Sequence, residues 1–300
     1  MSRNNKTQSK PVMKPRLLVF ITFLLLIAGN ISAFTMWQLP MMVGDNIGNS
    51  YVFRTDKGKI IVMDGGRPTE NLFLRGFIAA LGNEVEAWII THPHDDHMGV
   101  LWDVLKNRQG MKINHIYHSR FSPDLVETET PYNEYARDFY AVLDTVSIPV
   151  TDLREPGLVS HIDDFNFKIL GVVNEEFRTN PYNNSSIIMK VWDDNKSILF
   201  LADAGAEAGD KVLNGPFRKD LDCDYIQMAH HGQHGCTENF YKSIHFKACL
   251  WPTALWIWNN DFGAGPGSGT LETMDTRRWM DEIGITEHHV YCNEGIFRLD

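Results

Sequence analysis

The chain has few cysteines, few basic residues and only one long apolar run, and each shortage excludes a class of protein. Four cysteines among 300 residues are too few for a disulfide scaffold, and we expect them to be free, buried thiols. Lys and Arg number 28 against 38 Asp and Glu, a net charge of −10 that argues against a general nucleic-acid coat. With 43% hydrophobic and 22% charged residues, the composition nevertheless predicts a folded protein with a sizeable core.

The one long apolar run, residues 17–29, follows five basic residues and no acidic ones. This basic stretch, the apolar run and the small residue Ala33 predict a secretory signal peptide over residues 1–33. An uncleaved signal anchor is the alternative, since the next charged residue is Asp45. In both cases we expect residues 34–300 to be exported, whether secreted, periplasmic or membrane-anchored, and to meet a membrane only through an uncleaved N-terminal segment. The exported part carries a net charge of −15.

Strand-like and helical segments alternate along residues 34–300. We predict a helix over residues 69–81, a buried strand over 85–91 and a helix from about 98 to 107. Strand-rich stretches followed by helices occur twice, which predicts two packed, mixed β-sheets with helices on the outer faces. The expected fold class is therefore α/β, a four-layer αββα sandwich, in one domain that covers residues 34–300.

Three histidines and two aspartates fall within residues 92–97 (HPHDDH), directly after an apolar strand. Imidazole and carboxylate groups are the ligands that zinc and neighbouring divalent ions prefer. His92 and His94, two apart in an extended segment, can face one ion, and Asp96 and His97 can face a second. The sequence therefore predicts a divalent metal site with one or two ions.

This H-x-H-x-D-H motif after a buried strand resembles the signature of the metallo-β-lactamase-fold hydrolases. Three further segments follow the order of that family. Asp64 ends a strand before two glycines, Asp203 ends the strand FLAD, and His230 and His231 precede a glycine. The resemblance spans residues 36–300 and implies the family's fold and metal-dependent hydrolysis.

Three details resemble one branch, the metallo-hydrolase domain of DNA-uptake competence proteins (ComEC type) and similar secreted phosphodiesterases. They are the His-His-Gly run, an N-N-x-S run that begins at Asn183 and Asn184, and the short Leu-Ala-Asp strand end at Asp203. Most two-zinc members have a lone histidine midway between the first motif and the bridging aspartate. This chain has no histidine between His161 and His230, and the N-N-x-S run occupies that stretch.

The resemblance implies two ligand sets that share a bridging carboxylate. The first set is His92, His94 and Asp203, and the second is Asp96, His97, Asp203 and His231. An Asn oxygen or a water can complete the first set. Because that set has lost a nitrogen ligand, it is expected to bind its ion more weakly, and manganese is an alternative to zinc.

The remaining candidate residues support ligands or face the substrate. Neighbouring residues of an extended segment point in opposite directions, so only one of His230 and His231 is expected to be a ligand. We favour His231, and His230 would then contact a phosphate or donate a proton to the leaving group. Asp64 is expected to orient a ligand imidazole through its other nitrogen. Asn183 and Asn184 either contact the substrate or shape the turn.

The expected reaction is hydrolysis by a metal-bound hydroxide, with His230, Asp203 and Asp96 as catalytic residues. A small or surface-attached phosphodiester is the leading substrate, because a domain of net charge −15 repels a nucleic-acid polyanion. One alternative is hydrolysis of a carboxylic ester, lactone or β-lactam at the same site. Another is a metal-binding module without turnover.

Overall fold

In the computed structural model, which describes residues 33–300, most strands belong to two seven-stranded sheets. The strands are β1 Thr35–Gln38, β2 Ser50–Arg54, β3 Ile60–Asp64, β4 Glu84–Val85, β5 Ala87–Ile89, β6 Lys112–Ile113, β7 Ile116–His118, β8 Val150–Asp152, β9 Val159–Ile162, β10 Phe165–Gly171, β11 Ile188–Trp192, β12 Ser197–Phe200, β13 Tyr225–Gln227, β14 Ala248–Trp251, β15 Glu287–Val290 and β16 Phe297–Leu299. The first sheet has the order β16-β1-β2-β3-β5-β7-β8, and the second has the order β15-β14-β13-β12-β11-β10-β9. The export segment predicted over residues 1–33 lies outside the described residues except for its last one.

The helices lie between the strands along the chain. They are α1 Asn71–Ala80, α2 Asp95–Lys106, α3 Pro123–Val126, α4 Tyr132–Leu143, α5 Ala206–Leu213, α6 Glu238–Lys242, α7 Leu255–Trp258, α8 Thr273–Glu282 and α9 Tyr291–Glu294, with short 3-10 turns at Pro68–Glu70, Asn183–Ser185, Arg218–Leu221 and Ala229–Gly232. No helix within residues 33–300 is both long and apolar enough to span a membrane.

Three apolar layers show how the sheets and helices pack. Aromatic side chains from both sheets, such as Phe53 of β2 and Phe167 of β10, fill the layer between the sheets. Helices α1, α2 and α4 cover the outer face of the first sheet, and α5, α6 and α8 cover the outer face of the second. The predicted αββα sandwich is thus confirmed, because each sheet buries one face on the other sheet and one on helices.

Two predicted elements, the strand before residues 92–97 and the helix after them, differ from the structure. The strand predicted over 85–91 is split, because β4 pairs with β6 while β5 joins β3 and β7. The helix predicted from residue 98 begins instead at Asp95. The carboxylates of Asp95 and Asp96 favour this earlier start, since negative charge stabilises the N-terminal turn of a helix.

The four cysteines are free, as expected, although only Cys236 and Cys249 are buried and the other two, Cys223 and Cys292, are half-buried.

The chain places its polar motifs at one edge of both sheets. Strands β3 and β5 run parallel in the first sheet, and β12, β13 and β14 run parallel in the second. Asp64 ends β3, and residues 92–97, Asp203 and His230 follow the carboxyl ends of β5, β12 and β13. Carboxyl ends of parallel strands meet at the same sheet edge, so segments far apart in sequence come together there.

Candidate metal centre

Four buried side chains from three separate stretches of the chain converge beyond the strand ends. They are Asp96, His97, Asp203 and His231, and their ligand atoms all lie within 4.8 Å of one another. Nε2 of His97 lies 3.2 Å from Oδ1 of Asp203, and Nε2 of His231 lies 3.2 Å from Oδ2 of the same carboxylate. Across residues 33–300 no second group of three or more such side chains lies this close.

The spacing and bonding of these atoms fit a divalent cation. Two ligands held about 2.0–2.1 Å from one tetrahedral zinc ion lie about 3.3 Å apart, close to the 3.2 Å distances in the cluster. Nε2 of His97, Oδ1 of Asp203 and Nε2 of His231 are buried without a hydrogen-bond partner. Because buried polar atoms are almost always paired, atoms that face one another unpaired indicate a cation site.

Opposite charges within the cluster shift the pKa of every member. Burial alone would lower the pKa of His97, but the carboxylates of Asp203 and Asp64 raise it well above its usual range. The pKa of His231 is raised to about 9, because Asp203 outweighs the effect of burial. Burial would raise the pKa of Asp203, but His231 and His97 hold it well below its usual range. The ionised carboxylates therefore favour a positive charge at this position, which a divalent cation supplies when the imidazoles are neutral ligands.

Both imidazoles of the cluster are oriented through their second nitrogen. Oδ2 of Asp64 lies 2.8 Å from Nδ1 of His97, and Asp64 also accepts hydrogen bonds from the backbone and hydroxyl of Thr91. Nδ1 of His231 lies 2.9 Å from the backbone carbonyl oxygen of Pro252. These acceptors take the Nδ1 hydrogens, so each Nε2 presents a lone pair to the cluster. Asp64 thus has the geometry expected of it, whereas no sequence pattern marked Pro252.

His92 and His94 form a second pair beside the cluster. Nε2 of His92 lies 3.0 Å from Nδ1 of His94. The far nitrogen of His94 contacts Glu129 at 3.1 Å, and that of His92 contacts the hydroxyl of Ser186 at 3.3 Å. The pair is not part of the four-residue cluster, and the first ligand set of His92, His94 and Asp203 stays a prediction.

The two neighbouring histidines are not in an extended segment, which corrects the reasoning from alternation. His230 and His231 both have left-handed backbone, with φ of 50° and 54°, and Gly232 continues it at 78°. This turn still separates the two rings, because His231 enters the cluster while His230 lies at its edge. Nε2 of His230 is 3.9 Å from Asp203 and 3.2 Å from Nδ2 of Asn183.

Four non-glycine residues at or beside the cluster have left-handed backbone. Asp64 and Ala202, like His230 and His231, have φ near 50° although none is glycine. Each such residue costs about 1–3 kcal/mol, so the surrounding packing must impose it. Strained backbone of this kind is typical of functional sites, and sequence alone offers no signal for it beyond the glycine that follows each of Asp64 and His231.

The N-N-x-S run connects the two halves of the site. Asn183 faces His230, whereas Asn184 shapes the start of α5, because its Oδ1 accepts the backbone N–H of Ala208 at 3.0 Å. Ser186, the serine of this run, accepts the backbone N–H of Asp203 at 3.2 Å and contacts His92. The structure therefore places one Asn at the cluster's edge and gives the other a role in the turn.

The family profile of the metallo-beta-lactamase superfamily matches residues 43–235, a stretch that contains every cluster residue. The chain belongs to the metallo-β-lactamase superfamily. The predicted fold and superfamily are confirmed, while the likeness to the competence-protein branch stays a prediction. No curated protein sequence matches the chain.

Two solved structures have a fold similar to that of this chain, but their sequence identity to it is low. One is the metallo-beta-lactamase fold protein YhfI from Bacillus subtilis, with TM-score 0.54 and 11% identity over 89% of this chain and 100% of that one. Another is a mutant of CmlA beta-hydroxylase, with TM-score 0.52 and 12% identity over 96% of this chain and 60% of that one. Identities this low support the fold alone.

The superfamily match and the buried cluster together make the chain a metal-dependent hydrolase. Asp96, His97, Asp203 and His231 have the donor types, spacing and unpaired atoms that a divalent ion requires.

Proposed function

We propose that this hydrolase is an exported phosphodiesterase that acts on a small or surface-attached phosphodiester. The observation that carries the proposal is the pair His230 and Asn183 at the edge of the metal cluster. Both side chains are polar, neither belongs to the cluster, and Nε2 of His230 lies 3.9 Å from Asp203. They therefore present the amide donor of Asn183 and a ring nitrogen of His230 to a substrate group bound at the cluster.

The cluster residues hold the cation, and the pair orients the substrate. Asp96, His97, Asp203 and His231 would hold a divalent ion, which would supply the chemistry of lowering the pKa of a water and polarising the phosphoryl oxygen. Nδ1 of His230 lies 3.2 Å from the carbonyl oxygen of His234, which assigns it the ring hydrogen and leaves Nε2 as an acceptor. The amide of Asn183 can then donate either to that ring or to a phosphoryl oxygen.

The net charge of the protein favours a substrate with a single phosphodiester group over a polyanion. The −15 net charge of residues 34–300 opposes long nucleic acids through repulsion over the whole surface. At the cluster itself, a divalent ion offsets Asp96 and Asp203, so one phosphodiester group meets no net repulsion there. We accordingly expect no general nucleic-acid binding.

The test compares the hydrolysis of bis-p-nitrophenyl phosphate with that of nitrocefin, using the metal-loaded chain with and without chelator. The proposal expects turnover of the diester that is lost on chelation and lost in Asp203→Ala. Diester turnover that is indifferent to both changes would contradict it.

A carboxylic ester or lactone is the second candidate substrate, because two loops beside the cluster expose apolar side chains. The backbone of Asn49 donates to the carbonyl of Asp96 at 3.1 Å, which places the loop of residues 40–49 beside the cluster. The carboxylate of Asp45 joins that loop to the start of α7 by accepting the backbone N–H of Leu255 at 2.8 Å.

These joined loops expose Met42 and Phe262 by 58% and 55%, and Val43 and Leu255 by 47% each. Apolar groups that flank a hydrolytic site favour an acyl or alkyl part of the substrate. A panel of acyl esters and lactones of increasing chain length separates the candidates. Faster turnover of these than of the diester would favour the second one.

Export rests on the pattern of residues 1–33, and it has its own test. The protein is expressed in its host and the cell fractions are separated. Protein outside the cytoplasm with an N-terminus at residue 34 indicates a cleaved signal peptide, and an intact N-terminus in the membrane fraction indicates an anchor. Full-length protein that stays in the cytoplasmic fraction would contradict export.

A further inference from the structure

A buried ion pair holds Phe34, the residue that precedes β1. Oδ2 of Asp193 accepts the backbone N–H of Phe34 at 3.1 Å and the ammonium of Lys196 at 2.7 Å. The same ammonium donates to the carbonyl oxygen of Phe34 at 2.7 Å and lies 4.3 Å from the centroid of its ring. Phe34 is therefore bound through both of its backbone polar groups and through its side chain.

The tight turn between β11 and β12 builds this ion pair. The side chains of Asp193 and Lys196 are exposed by 0% and 5%. Oδ1 of Asp193 accepts the backbone N–H groups of Asn195 and Lys196 at 2.8 and 2.9 Å. The turn itself thus fixes the carboxylate, and Oδ2 is left to face Phe34, whose ring packs in the apolar layer between the sheets.

The surroundings of the ion pair contain more negative charge than Lys196 balances. Asp164 is only 8% exposed, and its Oδ2 has no hydrogen-bond partner. Burial raises the pKa of Asp164, and the charge of nearby Asp193 adds to the shift. Two carboxylates therefore share one ammonium group. A second cation beside Asp193 would offset this excess, because opposite charge reduces the cost of burying a carboxylate.

A cut after Ala33, where the signal peptide is predicted to end, would create such a cation. Hydrolysis by a signal peptidase breaks the bond between the carbonyl carbon of Ala33 and the nitrogen of Phe34. The hydroxyl of a water joins the carbonyl carbon, and the nitrogen takes the remaining hydrogen. The resulting α-amine has a pKa of about 7.7–8.0, so it gains a further proton at neutral pH. An amide donor 3.1 Å from Asp193 thereby becomes a charged donor in the same place.

We propose that Asp193 and Lys196 form a binding site for the mature N-terminus, in which the carboxylate of Asp193 binds the α-ammonium group of Phe34. The inference rests on the export proposed above and adds a structural consequence of cleavage. Phe34 leads directly into β1, which lies between β2 and β16 in the first sheet. Binding of the new terminus therefore stabilises an inner strand, whereas an uncleaved anchor leaves only a neutral amide beside Asp193.

The experiment compares the thermal unfolding of two chains, residues 34–300 and residues 30–300, at the same metal concentration. Each is released from a cleavable N-terminal fusion without added residues. Both contain the two large sheets and the three apolar layers, so both are expected to fold. The longer chain keeps the peptide bond between Ala33 and Phe34 and has its terminal charge at Asn30. We expect the shorter chain to melt about 3–5 °C higher, which corresponds to a roughly tenfold smaller unfolding constant.

Two substitutions in the turn provide the variant and its matched control. Asp193→Asn removes the charge that the α-ammonium group binds, so the two chain lengths should then melt at the same temperature. Asp194→Asn removes the exposed carboxylate next to it and should preserve the difference between the two lengths. Comparing lengths within each variant separates the contact with the terminus from any general effect of the substitution on stability.

The proposal is overturned if residues 34–300 melt no higher than residues 30–300, or if the difference persists in Asp193→Asn. If Asp193→Asn does not fold, a 34–300 chain acetylated at Phe34 decides, because the acetyl group keeps the N–H and removes the charge. It should melt about 3–5 °C below the free chain, and equal melting temperatures would overturn the proposal. Both chains have defined ends, so failure here is distinguishable from failure of export, which is measured by the N-terminus of the protein made in its host.

Discussion

Oδ2 of Asp64 lies 2.8 Å from Nδ1 of His97, and this buried contact fixes which nitrogen of the imidazole faces the metal cluster. The other carboxylate oxygen of Asp64 accepts the backbone N–H of Thr91 at 2.8 Å. Both oxygens therefore face donors. A carboxylate satisfies both, whereas an amide in the same place would turn its NH₂ group towards one of them.

Asp64→Asn is accordingly expected to weaken metal binding while it preserves the fold. If the amide oxygen stays on Thr91, the NH₂ group faces His97, and the hydrogen of the ring moves to Nε2, where it blocks the lone pair. We expect a loss of about 10–100-fold in Zn²⁺ affinity for the four-residue cluster. Chelator competition measures it, with Asp103→Asn on α2 as the control, because Asp103 contacts Asn71 and lies outside the cluster. Equal affinities in both variants would contradict the role of Asp64.

The neighbouring histidines should behave differently when each is removed. His231→Ala deletes a buried cluster atom, so we expect loss of bound metal and of activity together. His230→Ala is expected to retain the metal and to lower kcat by about 100-fold, the size typical of a positioned proton-transfer or polar group. Metal content and kcat are measured on the same samples. Metal loss in His230→Ala with retention in His231→Ala would reverse the assignment.

The sequence located the side chains of the cluster better than the residues that support them. Residues 92–97 and Asp203 follow apolar strands, so hydrophobic pattern and residue type together locate them. Glu129 and Pro252 lie 35 and 21 residues from the histidines they contact, and no local spacing marks such distant partners.

Strands β8 and β9 and the left-handed turn at His230 could not be predicted from the sequence, for different physical reasons. Strands β8 and β9 each lie at one edge of a seven-stranded sheet, and their valines Val150 and Val159 are exposed by 38% and 58%. An edge strand buries little, so its sequence lacks the apolar pattern that predicts a central strand. The left-handed turn at His230 is imposed by packing, and an extended segment was the natural expectation for two residues beyond a strand.

A buried histidine away from the metal centre should make the fold sensitive to acid. His118 ends β7 and is only 3% exposed, and its Nδ1 has no hydrogen-bond partner. Burial lowers its pKa to about 4, although Asp152 opposes the shift. The unfolded chain therefore binds this proton at a pH where the folded chain does not. The stability contributed by the neutral ring is complete above about pH 6.5 and is lost as the pH falls towards 4.

The measurement is urea unfolding of the wild type and His118→Phe between pH 7 and 4, both in chelator so that metal release does not contribute. Each pKa unit corresponds to about 1.4 kcal/mol, so the wild type should lose up to about 3 kcal/mol relative to the variant over this range. Parallel stability curves for the two proteins would contradict the prediction.

Gly232, directly after the cluster residue His231, should not tolerate a side chain. Its φ is +78°, and a Cβ built on it would lie 2.5 Å from the Cζ3 atom of Trp251. Left-handed backbone costs about 1–2 kcal/mol for alanine, and displacing a packed ring costs about 1–3 kcal/mol more. We therefore expect Gly232→Ala to destabilise the fold by about 2–5 kcal/mol.

Gly76 provides the opposite case, because it lies within α1 and a Cβ there would meet no atom within 4 Å. Gly76→Ala should stabilise the chain by about 0.5–1 kcal/mol, since alanine restricts the unfolded backbone and favours the helix. Urea unfolding of both variants at the same metal concentration measures the two changes. If the variants shift stability in the same direction, the close packing of Trp251 on the turn at His231 cannot be what fixes Gly232.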